Sequence, residues 1–345
     1  MEIHLLNQVT LIMENPDKTL KIATAGEALI DLIRRPDGLF DPCIGGSVFN
    51  FTRAMARQSI GTLYLNPLSA DRFGRQLAAA LVADGVVLAQ PQPVQETTSL
   101  AVVGLSEAGQ PDYAFYRQGV ADRAVTAAGL SSACAAVPTL EMVCSGCLAL
   151  APEDADIYLP WLAACRDAGK TVVVDANLRP SVMPDLPAYR RHVLAALQFA
   201  DVVKASDEDL GHLGIEGSTP LEQAKNLFAR TGASLMALTL GGEGACLLTR
   251  SGQIWQGREA VAVEVVDTVG AGDCFLAGLL TAVLLEKELT PDLTLAQLDD
   301  AAARRILSHA LASASLCVMQ RGCVPPTREE VRARTGEFAC VVAAV

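Results

Sequence analysis

From residue 21 onward, short apolar runs alternate with longer stretches whose apolar residues recur at helical spacing. The pattern predicts strands over Val172–Asp175, Val202–Lys204 and Leu235–Leu240, and helices over Ala188–Ala200, Leu221–Thr231 and Asp273–Glu288. Lys21–Ile33 reads as an opening strand-like segment. Strand and helix in alternation imply βαβ units and a mostly parallel sheet. Such a sheet binds ligands beyond the carboxyl ends of its strands. Thr97–Arg117 departs from the alternation: two strand-like runs flank the turn SEAGQPD, which predicts a hairpin. An antiparallel hairpin in a parallel fold is either a lid or a plain edge addition. Residues 1–20 read as a leader without an assigned role, and residues 21–345 as one domain without repeats or a linker.

Composition narrows the class. The 345 residues carry 27 Lys+Arg against 39 Asp+Glu, a net charge of −12, with no basic run. Nucleic acid and anionic membranes are therefore not expected partners. The longest apolar stretch, Cys274–Leu285, is 12 residues, short of the ~20 that cross a bilayer. The start, MEIHLLNQVTLIMENPDK, does not have the form of a signal peptide, so a cytoplasmic location is expected. Ten scattered cysteines then imply reduced thiols.

The chemistry concentrates in Val265–Leu285, where a strand end, a glycine-rich turn and a long apolar helix follow one another. A helix N-terminus offers unpaired N–H groups and positive dipole potential, which suits a phosphoryl anion. Gly270 and Gly272 allow close backbone approach. Asp273 has two local readings, a helix cap or a general base beside a phosphate, and the local pattern alone favours the cap.

DTVGAGD at Asp267–Asp273 resembles the C-terminal signature of the ribokinase-like (PfkB) sugar kinases. GGSVFN at Gly45–Asn50, FYRQGVAD at Phe115–Asp122, DANLRP at Asp175–Pro180, VKASDED at Val203–Asp209, TLGGEG at Thr239–Gly244 and RGCVPP at Arg321–Pro326 stand in the family's order. The resemblance spans about Ile22 to Pro326 and reverses the capping preference at Asp273.

It implies a three-layer α/β/α sandwich with a mostly parallel central sheet and a small β lid, contributed mainly by about residues 31–44 and 97–120. It implies transfer of the γ-phosphoryl group of MgATP to a sugar hydroxyl. Asp273 would be the catalytic base, with the amides of Gly270, Ala271, Gly272 and Asp273 as an anion hole. Asp31, Gly45, Gly46, Asn50, Arg117, Asn177 and Arg179 would face the sugar. Lys204, Ser206, Thr239, Gly241, Gly244 and His309 would face ATP. Asp209 would organise Mg²⁺ through water, and Asp267 a monovalent cation, expected to be K⁺. Ser206 and Asp209 replace the family's Asn and Glu; the serine resembles a fructokinase variant.

The motif set is most similar to fructokinases, which implies D-fructose as acceptor. A 2-keto-3-deoxygluconate kinase is the near alternative, ribokinase and nucleoside kinases rank below it, and a non-catalytic sugar binder is a different class. A homodimer through the lid is expected, with Leu100–Val103 as its exposed apolar face. Rival chemistries find less support. Cys144 and Cys147 form a CxxC without a second pair and read as structural. The four histidines make no hydrolase pattern, no GxxxxGK[ST] exists, and the first strand runs into GEALIDLIRRPDG rather than GxGxxG.

Overall fold

The computed structural model describes residues 19–35, 37–105, 111–337 and 340–345. Most of the expected leader and the tip of the expected hairpin turn lie outside these residues.

In chain order the elements are β1 (Leu20–Thr24), β2 (Leu29–Arg34), β3 (Phe40–Gly45), α1 (Ser47–Arg57), β4 (Gly61–Tyr64), α2 (Arg72–Ala83), β5 (Val87–Leu88), β6 (Ser99–Leu105) and β7 (Pro111–Tyr116). There follow α3 (Ala127–Ala135), β8 (Met142–Gly146), α4 (Ala155–Asp167), β9 (Thr171–Asp175), α5 (Leu186–Leu197), β10 (Val202–Ser206), α6 (Asp207–Leu213), α7 (Pro220–Ala229) and β11 (Leu235–Thr239). β12 (Ala245–Thr249), β13 (Ile254–Arg258), α8 (Ala271–Leu289), α9 (Asp300–Val318), α10 (Arg328–Glu337) and β14 (Val341–Ala344) complete the chain.

Ten strands form the central sheet in the order β14-β13-β12-β11-β10-β9-β8-β1-β4-β5. The run from β11 to β5 is parallel, and β12, β13 and β14 extend it antiparallel. Adjacent residues of β9 serve opposite layers. Val172 and Val174 pack with Trp161 and Tyr189, whereas Val173 packs with Phe275 and Leu279. Alternate side chains point to opposite faces, so a strand covered by helices on both sides must be apolar throughout. The mostly parallel sheet is the one the alternating pattern anticipated, and the layered α/β/α sandwich the one the family resemblance implied.

Lys21–Ile33 is not one strand. It divides into β1 in the central sheet and β2 in a separate four-stranded sheet of order β3-β2-β6-β7. The crossing lies at Gly26, where a Cβ would stand 2.4 Å from Val48 Cγ2. β6 and β7 pair antiparallel, as the hairpin reading expects. The expected exposed face over Leu100–Val103 is absent: Ala101 is buried and its neighbours are half-buried. Leu100 packs with the cluster around Ile30 and Phe49, and Ala101 packs with Leu148. Among the described residues, the exposed large apolar side chains of this sheet are Ile33 (42%), Phe40 (45%) and Tyr116 (61%), near strand ends. No helix among the described residues is long and apolar enough to cross a membrane.

Candidate functional site

The ends of β9 and β10 meet the amino ends of α1 and α8, and a hydrogen-bonded chain joins them. Asn177 Nδ2 donates to Ser47 Oγ at 2.7 Å, and Ser47 Oγ donates to Asp273 Oδ1 at 2.6 Å. Asn50 Nδ2 donates to the other carboxylate oxygen at 3.1 Å. The capping reading of Asp273 fails on this geometry. The N-cap position of α8 is Gly270, no side chain caps the helix, and Asp273 is its third residue with the carboxylate turned towards α1. Burial pushes the Asp273 carboxyl above the ordinary aspartate range, while Ser47, Lys204, Asn50 and Arg179 pull it back.

The turn before α8 requires glycine. Gly270 has φ +78°, and a Cβ there would stand 2.2 Å from Cys323 Sγ. The Ala271 amide donates to the Thr268 carbonyl at 3.2 Å, so it is already engaged. The first amides of a helix have no partner one turn back. Those of Gly272 and Asp273 therefore carry the positive end of the dipole. Lys204 Nζ adds a full charge: a Cβ on Gly272 would stand 2.9 Å from it. Lys204 and Asp175 pair in register across β10 and β9, with Nζ 3.1 Å from the carboxylate. Burial still raises the Asp175 carboxyl to about 7, against the pull of Lys204.

Asp31 lies on β2 of the small sheet, in one cross-strand row with Cys43 and Ala101. A Cβ on Gly45 would stand 2.1 Å from Asp31 Oδ2, so a glycine leaves the carboxylate its place. Burial raises Asp31 to about 6, and the Arg179 guanidinium opposes it. Arg179 is exposed and donates to the Asn177 and Leu178 carbonyls. Gly46, with φ +106°, precedes α1 and offers no side-chain cap.

Ser206 and Asp209 form a capping box at the start of α6, and Asp209 Oδ1 also accepts the Leu178 amide at 2.7 Å. Each Asp209 oxygen thus accepts a backbone N–H. Thr239 pairs with Ser206 across the neighbouring strand, which sets Gly241 and Gly244 beside this edge. Gly244 has φ +99°, and a Cβ there would stand 2.1 Å from the Gly257 carbonyl. Asp267 accepts the amides of Val269 at 3.0 Å and Gly322 at 2.9 Å, tying the glycine turn to the loop after α9.

Two expected site residues are engaged within the fold. His309 is buried between helices, its Nε2 2.8 Å from Gln58 Oε1, and burial lowers it to about 4. Gln58 also donates to Ser313, so this group joins the end of α1 to α9. Arg117 turns inward, 3.8 Å from Asp122 and 3.9 Å from Asp154.

Two residues went unassigned in the sequence reading. Ser47 stands within GGSVFN but no role attached to it. Glu27 Oε1 accepts the Ser47 amide at 2.9 Å and so supplies the cap that Gly46 lacks. A Gly-Gly pair ahead of a helix, with no capping side chain of its own, is the sequence signal that a remote acceptor is needed. Burial raises Glu27 to about 7 against the Arg117 charge.

Residues 19–330 match the family model for pfkB family carbohydrate kinase. The chain is 33% identical over 291 residues to a fructokinase of Rhizobium leguminosarum bv. trifolii, covering 82% of this chain and 85% of that one. Among solved structures, a fructokinase with bound ATP from Xylella fastidiosa superposes with TM-score 0.75 at 25% identity, covering 93% and 99% of the two chains. A Vibrio cholerae fructokinase with bound fructose, ADP and calcium ion superposes with TM-score 0.71 at 26% identity, over 92% and 99%.

Proposed function

Because the chain belongs to the pfkB family of carbohydrate kinases, phosphotransferases that act on sugar hydroxyls, we propose that it phosphorylates D-fructose at the 6-hydroxyl with ATP. The observation that carries the mechanism is the Asp273 carboxylate, buried at the amino end of α8 and held by Ser47 and Asn50. A carboxylate in that position takes the proton of the attacking hydroxyl. Ser47 and Asn50 aim it, and their hydrogen bonds favour its charged form against the effect of burial. The amides of Gly272 and Asp273, with the Lys204 ammonium, stabilise charge developing on the transferred group.

Asp31 accepts from sugar hydroxyls, and so does Asn50 Oδ1, a buried oxygen without a partner among the described residues. The four-stranded sheet carries Asp31 and acts as the lid whose closure excludes water. Thr239, Gly241 and Gly244 line the nucleotide side, and His309 and Arg117 are left out of the direct contacts. The Asp209 carboxylate, each oxygen of which already accepts an amide, would hold a magnesium ion through water. Asp267 fits the monovalent cation by holding two loops together. When bound, magnesium neutralises phosphate charge. A cytoplasmic dimer joined through the lid completes the reading, with Ile33, Phe40 and Tyr116 as its apolar contacts.

The relatives' substrate favours fructose. One observation favours 2-keto-3-deoxygluconate instead: Arg179 is an exposed guanidinium close enough to draw on Asp31, and a substrate carboxylate suits its fork. A sugar panel in a coupled ADP-release assay separates the two. Fructose should give the highest kcat/KM, and a higher value for ketodeoxygluconate would overturn the substrate assignment.

A further inference from the structure

Three cysteines distant in sequence meet behind the glycine turn. Cys274 follows Asp273 in α8, Cys317 lies near the end of α9, and Cys323 lies in the loop towards α10. Their sulfur atoms all lie within 4.8 Å of one another. All three are free thiols; Cys274 and Cys317 are buried and Cys323 is half-buried. Cys317 Sγ also donates to the Val269 carbonyl at 3.5 Å. Packing alone would account for one or two cysteines as small apolar fillers. Elsewhere Cys134 and Cys165 pair in that way. Three sulfurs converging on one point, with one reachable from solvent, are a ligand set.

We propose that Cys274, Cys317 and Cys323 form a three-thiolate site for a single thiophilic metal ion of the d¹⁰ class, such as zinc(II), copper(I) or cadmium(II). Soft thiolates select such ions. Metal–sulfur bonds of about 2.3 Å set sulfurs about 3.8–4.0 Å apart, so a modest contraction of the cluster suffices. For a divalent ion the three thiols lose three protons to solvent and three metal–sulfur bonds form. The charge balances: two positive charges and three thiolates give an anionic centre, and three protons leave. The half-buried Cys323 gives the ion its way in.

The place gives the ion a consequence. Cys323 Sγ lies 2.2 Å from where a Cβ on Gly270 would stand, and Cys274 adjoins Asp273. A tris-thiolate of net negative charge there opposes the negative charge that gathers at the α8 amino end during transfer. Occupancy therefore slows phosphoryl transfer. This consequence rests on the proposed function; the binding itself does not.

The test is a cadmium(II) titration of the reduced full-length protein, read by the ultraviolet sulfur-to-cadmium charge-transfer band against a competing chelator. Absorbance should break at a single equivalent. Cys323→Ser and Cys317→Ala should each lose about a third of the band and at least about tenfold in affinity, whereas Cys134→Ser and Cys246→Ser should retain both. Circular dichroism reports whether each variant is folded, and the accessible Cys323→Ser decides the matter if Cys317→Ala does not fold. Absorbance that climbs without a break, keeps its full intensity and affinity in Cys323→Ser or vanishes in Cys134→Ser would overturn the site. In the activity arm, cadmium should lower turnover of the parent protein reversibly on chelation. An equal loss in Cys323→Ser would overturn the consequence. If no sugar is phosphorylated at all, the proposed function fails and the absorbance still decides the site.

Discussion

Ser47 Oγ stands 2.6 Å from Asp273 Oδ1, although 226 residues separate the two in sequence. The contact joins the amino end of one helix to that of another, and it brings Asn177 into the same chain of hydrogen bonds. It makes Asp273 an oriented carboxylate rather than a helix cap.

Replacing Asp273 with Asn should remove proton abstraction and leave the shape of the site in place. The expected result for Asp273→Asn is a loss of about a thousandfold in kcat with sugar and ATP binding retained. Single-turnover kinetics and equilibrium binding measure the two halves. Turnover at the parent rate would show that the carboxylate is not the base.

Ser47→Ala removes a hydrogen bond from the charged form of Asp273. Burial already holds that carboxyl above its ordinary range, and Ser47 opposes the shift. Without the donor the carboxyl should rise further, so the acid limb of the kcat/KM–pH profile should move to higher pH. A limb that stays in place, or moves to lower pH, contradicts the role given to Ser47.

Gly45→Ala should act through Asp31. The added methyl would lie 2.1 Å from Asp31 Oδ2 and must displace it. The expected outcome is a rise of about tenfold or more in the sugar KM with a smaller change in kcat and the ATP KM unaltered. Steady-state kinetics in both substrates check this. An equal fall in kcat alone would place Asp31 away from the sugar.

Glu27 links pH to stability. Its folded value of about 7 exceeds the unfolded 4.5. A carboxyl raised on folding favours the folded state while protonated, and that contribution declines as pH rises from about 4.5 through about 7. Glu27→Gln keeps an oxygen for the Ser47 amide and carries no charge. The melting temperature of the variant should gain on the parent by about 2 °C or more between those limits. A constant difference across the range would show that Glu27 does not carry this dependence.

The alternation of apolar runs and helical stretches was readable because the inner strands β8 to β11 are buried on both faces, helices such as α2 and α7 on one, and α8 almost all round. Burial is written into neighbouring residues, as Val172–Asp175 and Asp273–Glu288 illustrate. The turn DTVGAGD was readable for the same reason: strand end, glycines and helix start are adjacent in the chain. The division of Lys21–Ile33 was not, because an apolar run does not say which sheet each half joins.

The sequence by itself therefore determined the layered α/β class, the glycine turn and the acid that follows it. Only the tertiary structure decided what that acid touches, that Glu27 caps α1, that Arg117 and His309 face inward, and that three scattered thiols converge. These are relations between elements. They depend on the angles at which helices and strands pack, which spacing along the chain leaves open.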